Sequence, residues 1–161
     1  MSQGILFFMG KHGVWECQWK GANMVRRELR EHIFKMLFQI EFNEMEDMPE
    51  HLTLYFENLP SAAEEDKKYI KDKFEAIVKK VPEIDIELNE KTTGWKTTRM
   101  SKVDLTILRL AVYEMKWDAD VPEGVAINEA VELAKRFSGE EGPSFVNGVL
   151  AKLTDQEAGH A

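Results

Sequence analysis

Cysteine and proline are scarce: one Cys, at position 17, and five Pro in 161 residues. A lone cysteine excludes an internal disulfide framework and suits a reducing compartment. Histidine is nearly as rare, and His12, His32, His51 and His160 show no metal-ligand spacing with one another or with Cys17. No glycine-rich loop follows a strand and no serine sits in a nucleophile elbow, so the nucleotide-binding fingerprints and the hydrolase motif are missing. Neither enzymatic activity, nor a metal, nor a cofactor is expected. Positive charge is the minority sign, 21 Lys and Arg against 29 Asp and Glu, for a net charge of -8. That balance excludes nucleic-acid binding by bulk attraction and leaves room only for a local basic patch. The run Ile5–Met9 is too short for a secretory segment and lacks a basic lead-in. A cytoplasmic protein is therefore expected.

What is present is 43% hydrophobic and 31% charged, enough for one domain with a real core. The chain is organised around Val103–Trp117. Its apolar residues Val103, Leu105, Ile107, Leu108, Leu110, Ala111, Val112 and Met115 nearly encircle a helix, which places that helix inside a domain. Asp104, Arg109 and Glu114 interrupt it, and it is too short to span a membrane. Ser101 is its expected N-cap, with Asp104 in the role of the capping-box acid.

Around it the spacing predicts further helices. Leu29, Ile33, Met36, Leu37 and Ile40 give one buried face between Val25 and Phe42. His51–Leu59 is a short helix that stops at Pro60. Ser61 and Glu64 open a long helix whose apolar stripe is Tyr69, Ile70, Phe74, Ile77, Val78 and Val81, and Pro82 is expected to end it. Its lysines alternate with acids and read as a solvated face. Ile84, Ile86 and Leu88 then form a separate short helix. Gly94 and Trp95 lie in a polar, threonine-rich link. Ile127–Phe137 and a segment from Pro143 through Leu153 complete about seven helices.

Residues 1–23 show no helical or strand period. They are read as a non-native or disordered extension, with an aromatic edge segment packed on the body as the alternative. The codons for Lys20–Asn23 can spell a ribosome-binding site, which makes Met24 the expected biological start. The folded domain then spans 24–154, and 155–161 is a flexible tail. Arg26, Arg27 and Arg30 stand at a helix N-terminus, where the macrodipole disfavours cations. Either they are kept for an anionic partner, or they are a solvated face with pairs such as Arg27–Glu31.

The strings Ile107–Glu114 (ILRLAVYE), Val125–Lys135 (VAINEAVELAK) and Phe145–Leu150 (FVNGVL) resemble the signature of the NusB family of bacterial transcription antitermination factors. Arg26-Arg27-x-x-Arg30-Glu31 resembles that family's arginine-rich start. The resemblance covers Val25 to Leu153. It is specific in the last third and loose through 44–98. It implies an all-α compact bundle in two packed halves, without enzymatic activity. It also implies binding to the boxA element of ribosomal RNA leaders with NusE, a small-subunit ribosomal protein, in a complex on RNA polymerase.

The residues that the resemblance assigns to RNA are Arg26, Arg27, Arg30, Phe38, Glu141 and Phe145, with Asp104 near the NusE surface. Arginines would hold phosphates and the phenylalanines would stack bases. Glu141 would weaken phosphate binding. Thr92 and Ser144 stand where other members carry aromatic or basic residues. Arg109, Asn128 and Asn147 are read as structural ties within the core, with Glu114, Glu129 or Glu132 as partner of Arg109. A homodimer that hides the RNA surface occurs in some members. Two other functions remain: the RNA-recruitment domain of a ribosomal RNA cytosine methyltransferase, and a helical scaffold that binds only protein.

Overall fold

The computed structural model describes residues 6–9, 15–18, 24–59 and 62–158, with 6–9, 15–18 and 155–158 described as backbone only. The elements in chain order are β1 (Leu6–Met9), β2 (Trp15–Gln18), α1 (Arg26–Gln39), α2 (Met48–Glu57), α3 (Glu64–Lys91), α4 (Lys102–Trp117), α5 (Glu123–Phe137) and α6 (Gly142–Ala158). Single 3-10 turns at Met45–Asp47 and Thr97–Arg99 lead into α2 and α4.

As its near-continuous apolar surface requires, α4 is the centre of the bundle. Every residue from Leu105 to Val112 is buried, and α4 touches α1, α3, α5 and α6. On one side α1 packs on α3; on the other α5 packs on α6. The fold is thus an all-helical body in two halves that share α4.

Six α-helices are seen among the described residues, where about seven were expected. The difference lies at Pro82, which does not end α3: the helix runs through it to Lys91. The residues read as a separate short helix are its second half. Ile77, Ile84 and Leu88 are fully buried on one continuous face, while Pro82 lies on the exposed side. A mid-helix proline costs about 3 kcal/mol. Ile84 and Leu88, the two buried residues beyond the proline, each contribute roughly 1.5–3 kcal/mol, so together they offset it.

Three further expectations change. Leu6–Met9 pairs antiparallel with Trp15–Gln18, in the register Phe7 to Cys17, so a hairpin stands where no strand period was found. The rest of the 1–23 assignment lies outside the described residues, as do the Ser61 cap and positions 159–161 of the tail. The residue before α3 is Ala63, with no side-chain cap. The backbone of α6 continues to Ala158, past the expected start of the tail.

Two polar residues of α4, Arg109 and Glu114, tie it to the half built from α1 and α3. Arg109 is buried and gives two hydrogen bonds to Asp85 on α3, at 2.9 and 2.7 Å, and a third to Glu41 beyond α1. Glu114, 1% exposed, accepts two hydrogen bonds from Arg30 on α1 at 2.8 and 2.7 Å, and pairs with Lys73 on α3 at 3.4 Å. The structural reading of Arg109 therefore fits its surroundings, although its partners are Asp85 and Glu41. Burial works against charge on both arginines, yet their carboxylate partners hold them above the ordinary guanidinium value.

Candidate nucleic-acid interface

One stripe of α1 carries Arg27, Glu31, Phe34, Lys35 and Phe38 at three- and four-residue steps. The rise per helical residue puts Arg27 about 16 Å from Phe38 along the axis. The edge of α5 lies beside this stripe. Arg27, with 62% of its side chain exposed, forms a two-pronged pair with Glu129 at 3.0 and 2.8 Å. Farther along, Glu31 pairs with Lys35 at 3.0 Å and with Arg136. Arg136 in turn lies 5.1 Å above the ring of Phe137. The hydrogen bond from Arg27 holds the Glu129 carboxyl below the usual range despite partial burial. Burial pushes Glu31 the other way, but Lys35 and Arg136 overcome it and lower this carboxyl too. The exposed cations are thus half-neutralised in place, each by a carboxylate that a phosphate must displace.

The stripe ends in aromatics. Phe38 is half-buried, stacked on the core residue Phe34 at 6.2 Å and edge-on to exposed Phe42 at 5.0 Å. Lys102, at the start of α4, lies 4.6 Å over the Phe42 ring.

Next to it is the corner between α5 and α6. Asp104 accepts a hydrogen bond from the Ser138 hydroxyl at 2.6 Å. Gly142 presses on the same pair: a Cβ there would lie 2.0 Å from Ser138 Oγ and 3.2 Å from Asp104 Oδ1. This clamp sets the direction in which α6 leaves, and hence the position of Phe145 one turn on. Glu141 is exposed on the corner itself.

Across from Phe145 is Trp95, 53% exposed, with ring centroids 5.4 Å apart and planes at 61°. The loop that presents Trp95 is well determined by its sequence. Gly94 takes φ +86°, a left-handed conformation that glycine adopts without strain. The Thr92 hydroxyl reaches the carbonyl oxygens of Leu88 and of Trp95 (2.7 Å). Asn89 accepts from the Thr97 amide at 2.9 Å.

The structure sorts the sequence-derived candidates. Phe38, Asp104, Glu141 and Phe145 come to one end of the molecule. Arg27 is exposed on the stripe that leads there, and Arg26, exposed beside it, reaches the carbonyl of Asp120 at 3.3 Å. Arg30 departs from its expected place: only 6% exposed, it is spent on Glu114 and does not reach the surface. Asp104 is 9% exposed, and its carboxylate serves Ser138 instead of the helix start; Ser101 alone caps α4, accepting from the Asp104 amide at 3.1 Å. Asn128 and Asn147 are exposed, so neither is a core tie. Asn147 and Ser144 stand on the solvent side of α6 next to Phe145. Thr92 is buried in the loop and presents nothing to a ligand.

Trp95 was missed. The signal was available, since a tryptophan after a glycine in a polar link has no apolar stripe to join.

Comparison with known proteins gives one family. The model of the NusB family matches residues 27–155. The transcription antitermination protein NusB of Agathobacter rectalis is 50% identical over 130 residues, which cover 81% of this chain and 99% of that protein. The protein of the same name from Lachnoclostridium phytofermentans is 49% identical over 132 residues, 82% of this chain and 100% of that one. Among solved structures, NusB of T. maritima has a TM-score of 0.73 at 34% identity, over 83% of this chain and 92% of that one. A chain in the crystal structure of antitermination factors NusB and NusE in complex with double-stranded RNA has a TM-score of 0.68 at 25% identity, covering 78% of this chain and 92% of that one.

Proposed function

The chain belongs to the NusB family, and from that premise we propose that it acts in transcription antitermination, holding boxA RNA of ribosomal RNA leaders together with NusE in a complex on RNA polymerase. The observation that carries this reading is the aromatic pair of exposed Trp95 and partly buried Phe145, together with a stripe of α1 that carries Arg27 and Lys35 and ends at half-buried Phe38. Single-stranded RNA is recognised by stacking splayed bases on aromatic rings and by gripping phosphates with arginine. Arg27 and Arg136 supply the second part, Phe145 and Trp95 the first. The likeness to a chain solved with NusE and RNA supports both partners.

The protein works as a binder without catalysis. Its relatives are named antitermination proteins, and they match over nearly their whole length without a catalytic domain beside the match. Its place is the cytoplasm, and no described helix is long and apolar enough to cross a membrane.

The electrostatics explain why a partner is needed. The net charge of -8 repels RNA at a distance, and Arg27 and Arg136 each carry a carboxylate that RNA must displace. Binding alone is therefore weak, and NusE adds contact surface that the chain lacks. The test is binding of boxA RNA with and without NusE at several salt concentrations, with the mass in solution followed in parallel. Salt-dependent binding that NusE strengthens is expected, because phosphate contacts release counterions. Binding that ignores salt, or none even with NusE, would overturn the proposal. Should a homodimer cover the track, RNA will shift the mass to that of one protein chain per RNA.

A further inference from the structure

Asp66 is 7% exposed in the first turn of α3, and the cations near it are committed elsewhere. Lys67 pairs with Glu64 at 3.4 Å, Lys68 with Asp72 at 2.6 Å, and Lys73 with Glu114 and Asp118. Among the described residues the partner of Asp66 is a main-chain nitrogen 42 positions away: Met24 N donates to Oδ2 at 2.7 Å. A carboxylate taken out of water needs a cation or several donors. The start of a helix favours an acid, but Glu64 and Glu65 collect that benefit while staying in solvent. A neutral amide is a poor counterpart for a buried charge. An α-ammonium at the same nitrogen would be a good one.

A second, independent observation points to the same nitrogen. The relatives match over 99–100% of their own length but 81–82% of this chain, and the family match begins at residue 27. Their counterpart of this chain thus starts close to Met24. We propose that the working protein begins at Met24 and that Asp66 is the receptor for its α-ammonium, an ion pair that pins the start of α1 to the start of α3. Arg26 and Arg27 follow at once, so the pair also positions the basic end of the RNA track. Glu28, Glu31 and His32 on α1 line the same small cleft as Met24, and Lys67, Lys68 and Lys73 are the nearby cations of α3. Glu28 is already engaged, accepting from the Val25 amide at 3.2 Å.

The ammonium form exists only below the amine's pKa. Pairing with Asp66 raises that pKa above the ordinary value of about 8, so the stabilisation is complete below about pH 8 and disappears as pH rises through the folded value. The experiment starts with the intact mass and N-terminal sequence of the protein purified from its own cells. The pKa of its amine is then read by NMR, and urea midpoints are taken between pH 7 and 9.5 for this protein, for Asp66→Asn and for the full 161-residue chain. Expected are a free amine on Met24, a raised pKa, and a midpoint that falls with pH only in the protein that has both the amine and Asp66. A native chain that starts upstream, starts at Val25 or carries a blocked amine would overturn the proposal. So would an amine of ordinary pKa, a reading that stands even if Asp66→Asn does not fold.

Discussion

Arg27 and Arg30 are three residues apart on one helix, yet they belong to different regions with different work. Arg30 sits in the seam around α4 with Arg109, Lys73 and Glu114, all four buried and each matched by an opposite charge. Arg27 lies on the outer stripe, mostly in water, with a carboxylate it can exchange. The chemistry of the two ion pairs is the same. Desolvation makes one a permanent tie and leaves the other open to a ligand, because breaking a buried pair strands a charge while an exposed pair is worth little.

The largest effect should come from the seam. Glu114→Ala leaves Arg30 and Lys73 buried without their shared partner, and a loss of roughly 3–5 kcal/mol in urea unfolding is expected. A loss below 1 kcal/mol would mean that water enters the seam and that the contrast with the outer stripe fails. Next is the aromatic pair. Phe145→Ala and Trp95→Ala should each reduce RNA affinity by about 1–3 kcal/mol, the usual worth of a base stacked on an aromatic ring, and isothermal titration with boxA RNA and NusE measures it. For Trp95, exposed at the loop tip, the urea midpoint should hardly move.

Arg27→Ala should weaken RNA binding uniformly and lower the salt slope by about 1, while stability stays nearly constant because the lost pair is exposed. Smallest is the response to Glu129→Gln. The carboxyl of Glu129 titrates below its unfolded value, so its contribution to stability is present above about pH 4.5 and fades as pH falls through the folded value. The Gln variant should show a slightly shallower acid-unfolding curve. It should also bind RNA a little more tightly, since Arg27 no longer has to leave a carboxylate.

The seam was only partly legible in the sequence. The apolar wrap of α4 predicts its central place, and a mid-helix Arg109 amid Leu and Ile demands a partner. Which carboxylate answers it depends on how helices distant in sequence align, and Asp85 lies in a stretch whose continuity across Pro82 no local rule predicts. Arg30 looked like a surface residue for the same reason: its partner Glu114 is 84 positions away. Asn128 and Asn147 erred in the opposite direction, polar residues amid apolar neighbours that turn out to face water. Motif strings located Phe145 and Asp104, but not the job of Asp104. Its bond to Ser138 and the close approach of Gly142 are tertiary facts. Trp95 escaped because periodicity does not flag a single aromatic in a loop, although its place after a glycine in a polar link does.

The division of labour between seam and stripe is tested most directly by the salt dependence of boxA RNA binding, at saturating NusE, for the unaltered protein and for Arg27→Ala and Phe145→Ala. The unaltered protein should bind more weakly as salt rises. Arg27→Ala should flatten that line by about 1 in slope, whereas Phe145→Ala should displace it to lower affinity with the slope unchanged. Superimposable lines for all three proteins would contradict the assignment of RNA binding to this end of the molecule.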